Sequence, residues 1–200
     1  MMRQDEPCMV RPEHHEQAVA DIERSILATR SFDGSTLIVT VGQRQRDPDE
    51  STQHNAIVSV LREVASTAAE HDMTVVPELL NERVDHPGYF LRTTDQGSQI
   101  VDAVNSSNVK LLFDVYHQQI TEGDVIQRFR RYADQIGHVH IADNPGRQQP
   151  GISELDYERI LAAIADTGYD GYVSCEGHID GDPHKILREI RTLTNAARGQ

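Results

Sequence analysis

Tryptophan is absent from this 200-residue chain, lysine occurs only at Lys110 and Lys185, and cysteine only at Cys8 and Cys175. Two thiols far apart in sequence, without C-x-x-C spacing, exclude a disulfide framework and offer no thiolate zinc motif. Long apolar runs are also missing. Nothing approaches the roughly 18 consecutive apolar residues of a membrane span, and the opening stretch MMRQDEPCMVRPEHHEQ lacks the apolar centre of a secretory leader. A cytoplasmic protein with no membrane partner is expected. The scarcity of lysine leaves 19 basic against 32 acidic residues, a formal net charge of -13. A polyanion would be repelled, so no nucleic-acid partner is expected. The acidic, lysine-poor composition resembles that of salt-adapted proteins, although net charge speaks to solubility and not to fold. No G-x-G-x-x-G follows a strand-like segment, so a dinucleotide site has no support.

What is present is alternation. STLIVTV (35–41), MTVVPEL (73–79), VKLLFDV (109–115), GHVHIA (137–142) and GYVSCE (171–176) are short segments rich in β-branched and apolar residues, the signature of strands. Helical spacing fills about 12–30, 51–71, 93–105, 122–135, 154–167 and 183–197. Ser153 three residues before Asp156 resembles a capping box, and Asp182 before Pro183 reads as an N-cap followed by proline in the first turn. Strict βα alternation in a chain of one-domain length predicts a single α/β domain over 1–200 with a parallel sheet covered by helices. An open doubly wound sheet and part of a (β/α)8 barrel both satisfy it.

Four of these strands end in a metal-capable side chain: Glu78, Asp114, His140 and Glu176. Active sites of parallel α/β folds lie at the carboxyl ends of strands, and in a barrel those ends converge. Three carboxylates and one imidazole suit a divalent cation such as Mn²⁺, Mg²⁺ or Co²⁺. Taken singly, each has a plainer alternative. An Asp or Glu after a strand also serves as a helix N-cap, one of His138 and His140 can be a core histidine, and Cys175 beside Glu176 suits a small buried hydrophobe.

The segments PELLNERVDHPGYFL, VKLLFDVYHQQITEGD and GHVHIADNPGRQQPGISELDYERILAAIADTGYDGYVSCE resemble the hydroxypyruvate isomerase family, within the xylose-isomerase-like barrels that include the D-tagatose and D-psicose 3-epimerases. The resemblance runs from about residue 12 to 190. It implies a metal on Glu78, Asp114, His140 and Glu176, with Glu78 and Glu176 as the proton-transferring pair. It further implies substrate binding by His117 and by Arg147 of DNPGR. The expected reaction is the interconversion of hydroxypyruvate and tartronate semialdehyde through an enediolate, with a small-molecule substrate as partner. The segment NERVDHPGYF has no clear equivalent of the extra acidic residue of the sugar epimerases, which leans away from a ketose 3-epimerase, while Asp85 or His86 remain candidates for substrate contact.

The same resemblance implies three further β/α units ahead of the point where this chain begins. A closed (β/α)8 barrel takes roughly 250 residues and eight strands. The expected fold is therefore an incomplete, N-terminally truncated TIM barrel holding the last five parallel strands, with 35–41 and 171–176 as open edges and a tendency to self-associate. An inactive remnant is the alternative that follows from the same shortfall. An abasic-site endonuclease is disfavoured because it would need more histidines and a basic track for DNA.

Overall fold

The computed structural model describes residues 8–197. Its regular elements are α1 (His15–Arg30), β1 (Thr36–Val39), α2 (Glu50–Glu70), β2 (Thr74–Pro77), α3 (Thr94–Val104), β3 (Leu111–Asp114), α4 (Val115–Thr121), α5 (Val125–Tyr132), β4 (Ile136–Ile141), α6 (Tyr157–Asp166), β5 (Val173–Cys175) and α7 (Pro183–Ala197). β1 pairs in parallel with β2, and β3, β4 and β5 pair in parallel in that order. Between the two ladders, parallel bridges Val75↔Val109 and Glu78↔Leu112 continue the sheet. All five strands thus follow one another in chain order, as in an incomplete (β/α)8 barrel.

Helix faces explain the layering. In α2, Ile57, Leu61, Val64 and Ala68 are buried at three- and four-residue spacing, which turns one apolar stripe onto the sheet. Its start is fixed by Asp49, whose side chain accepts from Thr52 N at 2.8 Å. One core cluster gathers α1, α2, α3 and the first strands, and a second lies under α5, α6 and α7. The central strand β3 is buried at every position, as expected of a parallel strand covered on both faces.

The outer strands differ. β1 has the apolar sequence TLIV, yet none of its residues is fully buried and Ile38 is 40% exposed. β5 is likewise only partly covered, and the neighbouring Tyr172 is 70% exposed. Among the described residues each of these strands has a strand neighbour on one side only. Clefts of about 180 Å³, lined in part by Leu37, Ile38 and Val39, and about 220 Å³, lined in part by Tyr172 and Val173, adjoin these two strands. Unpaired strand edges of this kind template pairing with other chains. The protein is therefore expected to self-associate through β1 and β5. Size-exclusion chromatography with light scattering checks this, and a particle that stays monomeric as concentration rises would count against it.

Two local expectations are corrected. The strand expected to run through Val115 ends at Asp114, and a short helix, α4, starts at once because the Asp114 carboxylate accepts from His117 N at 3.2 Å. At the start of α6 no capping box forms at Ser153: Asp156 is the N-cap, accepting from Arg159 N at 3.1 Å. Asp182 does cap α7, accepting from His184 N at 2.9 Å.

Candidate active site

Parallel register assembles the site. Asp114 stands opposite His140 in the β3–β4 ladder, Glu78 bridges to Leu112, and Glu176, one residue beyond β5, donates its N–H to Ile141 O at 3.1 Å. Ligand-capable atoms of Glu78, Asp114, His140 and Glu176 consequently all lie within 4.8 Å of one another. His140 Nδ1 is 3.6 Å from Glu78 Oε1, 3.9 Å from Asp114 Oδ2 and 2.9 Å from Glu176 Oε2. Oxygens on opposite sides of a divalent ion, each about 2.0–2.6 Å from it, are about 4–5 Å apart, so the spacing fits a cation.

Satisfaction of the buried polar atoms points the same way. Glu78 Oε1, Asp114 Oδ2 and His140 Nδ1 are buried without a properly aimed hydrogen bond. Buried groups left unpaired at one common centre are costly unless that centre receives a charge. Asp114 meets both of its sequence-level readings at once: Oδ1 caps α4, and Oδ2 turns toward the cluster.

Crowding shifts the protonation equilibria. Burial first, and the Glu78 charge second, push Asp114 up to about 7. Burial alone would lower His140, but close contacts with the Glu176 and Glu78 carboxylates outweigh it and raise the ring to about 9. Glu176 is held below the usual carboxylate range, chiefly by its contact with His140 and then, against the opposing effect of partial burial, by the Arg147 guanidinium.

Arg147 and His117 both reach the cluster. Arg147 Nη2 lies 2.6 Å from Glu176 Oε2 and 3.6 Å from Asp114 Oδ2, with its guanidinium carbon 5.7 Å from the centre of the Tyr116 ring. His117 is fully buried, its Nε2 is 3.8 Å from Asp114 Oδ2, and burial together with the Arg147 and His86 charges pushes it down to about 3. His86 packs edge-on against His117 at 5.4 Å. Asp85 sits one shell further out, accepting from Asn81 Nδ2 at 2.7 Å.

The loop carrying Arg147 is built on a residue that the sequence did not single out. Asp143 is 0% exposed. Its Oδ1 accepts from the N–H groups of Asn144 (2.8 Å) and Leu155 (3.1 Å), and its Oδ2 from those of Gly151 (2.9 Å), Ile152 (2.9 Å) and Ser153 (2.8 Å). Within the turn so tied, Gly146 and Arg147 adopt φ of 91° and 54°, a left-handed pair that only glycine enters without strain. The Arg147 carbonyl accepts from His178 N at 2.7 Å. A Cβ at Gly177 would stand 2.9 Å from that same oxygen, so glycine there lets the loop seat against the end of β5. Asn81, buried and bonded to His117, also escaped the sequence reading.

Comparison with known proteins bears on the family and the fold. The family model for the xylose isomerase-like TIM barrel matches residues 6–196. Hydroxypyruvate isomerase of Escherichia coli is 31% identical over 165 residues, covering 82% of this chain and 64% of that protein. 2-Oxo-tetronate isomerase of Cupriavidus necator is 38% identical over 138 residues, covering 69% of this chain and 53% of its own length. The chain thus spans between about half and two thirds of these relatives. Among solved structures, an AP endonuclease, family 2, from Brucella melitensis superposes with a TM-score of 0.88 at 26% identity, over 94% of this chain and 72% of that one.

Proposed function

The chain belongs to the xylose isomerase-like TIM barrel family, and from that premise we propose that it isomerises a small 2-oxo acid, hydroxypyruvate to tartronate semialdehyde, at a divalent cation held by Glu78, Asp114, His140 and Glu176. The observation that carries this is the trio of buried atoms without a hydrogen bond, Glu78 Oε1, Asp114 Oδ2 and His140 Nδ1, on residues whose ligand-capable atoms lie within 4.8 Å of one another. Oxygen-rich donors of this kind suit Mn²⁺, Mg²⁺ or Co²⁺. Bound there, such an ion supplies Lewis-acid stabilisation for negative charge on the substrate oxygens. Named homologues that are isomerases support the reaction class.

The chain's own residues do the rest. Isomerisation takes a proton from the hydroxymethyl carbon, returns one to the neighbouring carbon, and moves one between the two oxygens, with no net redox change. Glu176, kept as a carboxylate by His140 and Arg147, is suited to accept the first proton. Glu78, across the cluster, is suited to exchange the second. His117 supplies a neutral hydrogen-bond contact for the developing oxyanion. Arg147 offers a planar fork for the substrate carboxylate, which favours an acid over a neutral ketose.

A coupled assay on hydroxypyruvate with added Mn²⁺ tests the activity, and no turnover with metal bound would overturn the reading. Arg147→Lys adds specificity to the test. Losing the fork should weaken turnover of the acid by about tenfold to a hundredfold and leave a neutral ketose less affected. Equal losses on both would remove the carboxylate clamp.

Cation binding should be proton-coupled. Ligands must shed their protons, so affinity should climb as pH rises through about 7, where Asp114 loses its proton, and on toward about 9, where His140 does. The metal-free fold changes in the opposite sense. Both groups are raised above their unfolded values, so the stability from their protons is present at low pH and is lost as pH rises through 7 and then 9. Calorimetric titration of Mn²⁺ at neutral pH, in buffers of different ionisation enthalpy, should detect proton release. Affinity that is flat with pH, or binding unchanged in Asp114→Ala, would take the metal site out of the proposal.

A further inference from the structure

We infer that Asn81 is a positioning residue that locks His117 in its Nε2–H tautomer, so that the ring presents a hydrogen-bond donor, and not a lone pair, to the reaction site. The use made of that donor rests on the isomerase reading above. The tautomer itself does not.

The amide orientation is the first step. Asn81 lies in the loop between β2 and α3 and is 0% exposed. At one end its side chain meets two backbone donors, Val84 N at 2.9 Å and Asp85 N at 3.1 Å. At the other end it meets the Asp85 carboxylate at 2.7 Å. Flipping the amide would set an NH₂ against two N–H groups and an oxygen against a carboxylate, so only one orientation satisfies both ends. Oδ1 therefore accepts and Nδ2 donates.

The ring follows from the amide. Nδ2 lies 2.6 Å from His117 Nδ1, and the backbone N–H of Asn81 points at the same nitrogen from 3.4 Å. An NH₂ and an N–H can only donate, so Nδ1 must carry a lone pair. In a neutral imidazole the hydrogen is then on Nε2. That nitrogen is buried with no hydrogen-bond partner and stands on the cluster side of the ring, 3.8 Å from Asp114 Oδ2. Packing against His86 at 5.4 Å and Tyr116 at 5.2 Å confines the ring plane. The opposite tautomer would turn an Nε2 lone pair toward a centre already crowded with carboxylate oxygens, and would leave two donors facing an Nδ1–H. Donation by a preorganised N–H to developing oxyanion charge is the role this geometry suits.

The ring nitrogens can be read directly, without substrate or metal, by long-range proton–nitrogen correlation on protein labelled with ¹⁵N-histidine. Disappearance of its signals in His117→Gln identifies the residue. Wild-type His117 should show an unprotonated Nδ1 and a protonated Nε2, and the reverse pattern would overturn the inference whether or not the protein is an isomerase. In Asn81→Ala the second tautomer should appear, and kcat should fall about tenfold to a hundredfold with a smaller change in KM. A single unchanged tautomer in that variant would show that Asn81 does not set it. Asp85→Asn keeps an acceptor for the Asn81 amide and should retain the wild-type pattern, and its loss there would assign the control to the Asp85 charge instead. If Asn81→Ala fails to fold, the wild-type spectrum and Asp85→Asn still decide the matter.

Discussion

Glu176→Gln should lower hydroxypyruvate turnover by about 10²- to 10⁴-fold, the range expected when a positioned general base is removed. Glutamine keeps the size of the side chain and an oxygen that can face a cation, but it cannot take up a proton. In the protein as it stands, Glu176 is held as a carboxylate by His140, 2.9 Å away, and by Arg147, 2.6 Å away, and it is the most exposed member of the cluster. It is thus the member best placed to meet a substrate as well as a cation. Loss of metal affinity would mimic loss of the base, and the two separate with concentration. If Glu176 is only a ligand, saturating Mn²⁺ restores kcat. If it is the base, kcat stays low when calorimetry shows the site filled. Near-wild-type kcat at saturating Mn²⁺ would sink the assignment. Glu78→Gln under the same conditions tells which of the two carboxylates limits the rate.

The four cluster residues were legible because a parallel sheet leaves its mark twice, once in the apolar residues of each strand and once in a polar residue at or near its carboxyl end. Leu111, Leu112 and Phe113 are fully buried and Asp114 stands at their carboxyl end, which sequence alone suggests. Helix α4 was not legible because its cap is that same aspartate. The sequence leaves Asp114 open to both a site and a cap, and VYHQQIT carries no second start signal. Only the folded structure shows that one carboxyl group does both, Oδ1 capping and Oδ2 facing the cluster.

Asn81 and Asp143 stayed hidden for a different reason. Their partners are mostly backbone N–H groups, which every residue other than proline carries and no sequence pattern marks. An asparagine in LLNER or an aspartate in IADNPGR reads as ordinary turn chemistry. What separates them from turn residues is burial, 0% exposure in both cases, a property of the assembled loops. The open edges were legible only through the resemblance, since TLIV in β1 is as apolar as the buried strands and its exposure depends on what lies beside it.

Asp143→Ala is expected to be the most damaging change outside the cluster, costing about 2–4 kcal/mol of stability and lowering the melting temperature by about 5–15 °C. Five backbone N–H groups converge on this one carboxylate, and a hydrogen bond to a charged acceptor contributes about 1.5–3 kcal/mol net when taken singly. Their sum is an overestimate. Gly151, Ile152 and Ser153 are exposed, and water can replace the acceptor for their N–H groups, whereas Leu155 is buried and has less access to it. Asp143→Asn should not rescue the loop. Its amide must put an NH₂ either against the two donors that now face Oδ1 or against the three that face Oδ2. Because Arg147 rides on this loop with its φ at 54°, both variants should also raise KM for the acid substrate, at temperatures where the protein is still folded. Thermal melts together with KM measured well below the melting point test this. Full stability in Asp143→Asn would show that the loop does not depend on the carboxylate, and a stability loss with KM unchanged would show that Asp143 holds the loop without placing Arg147.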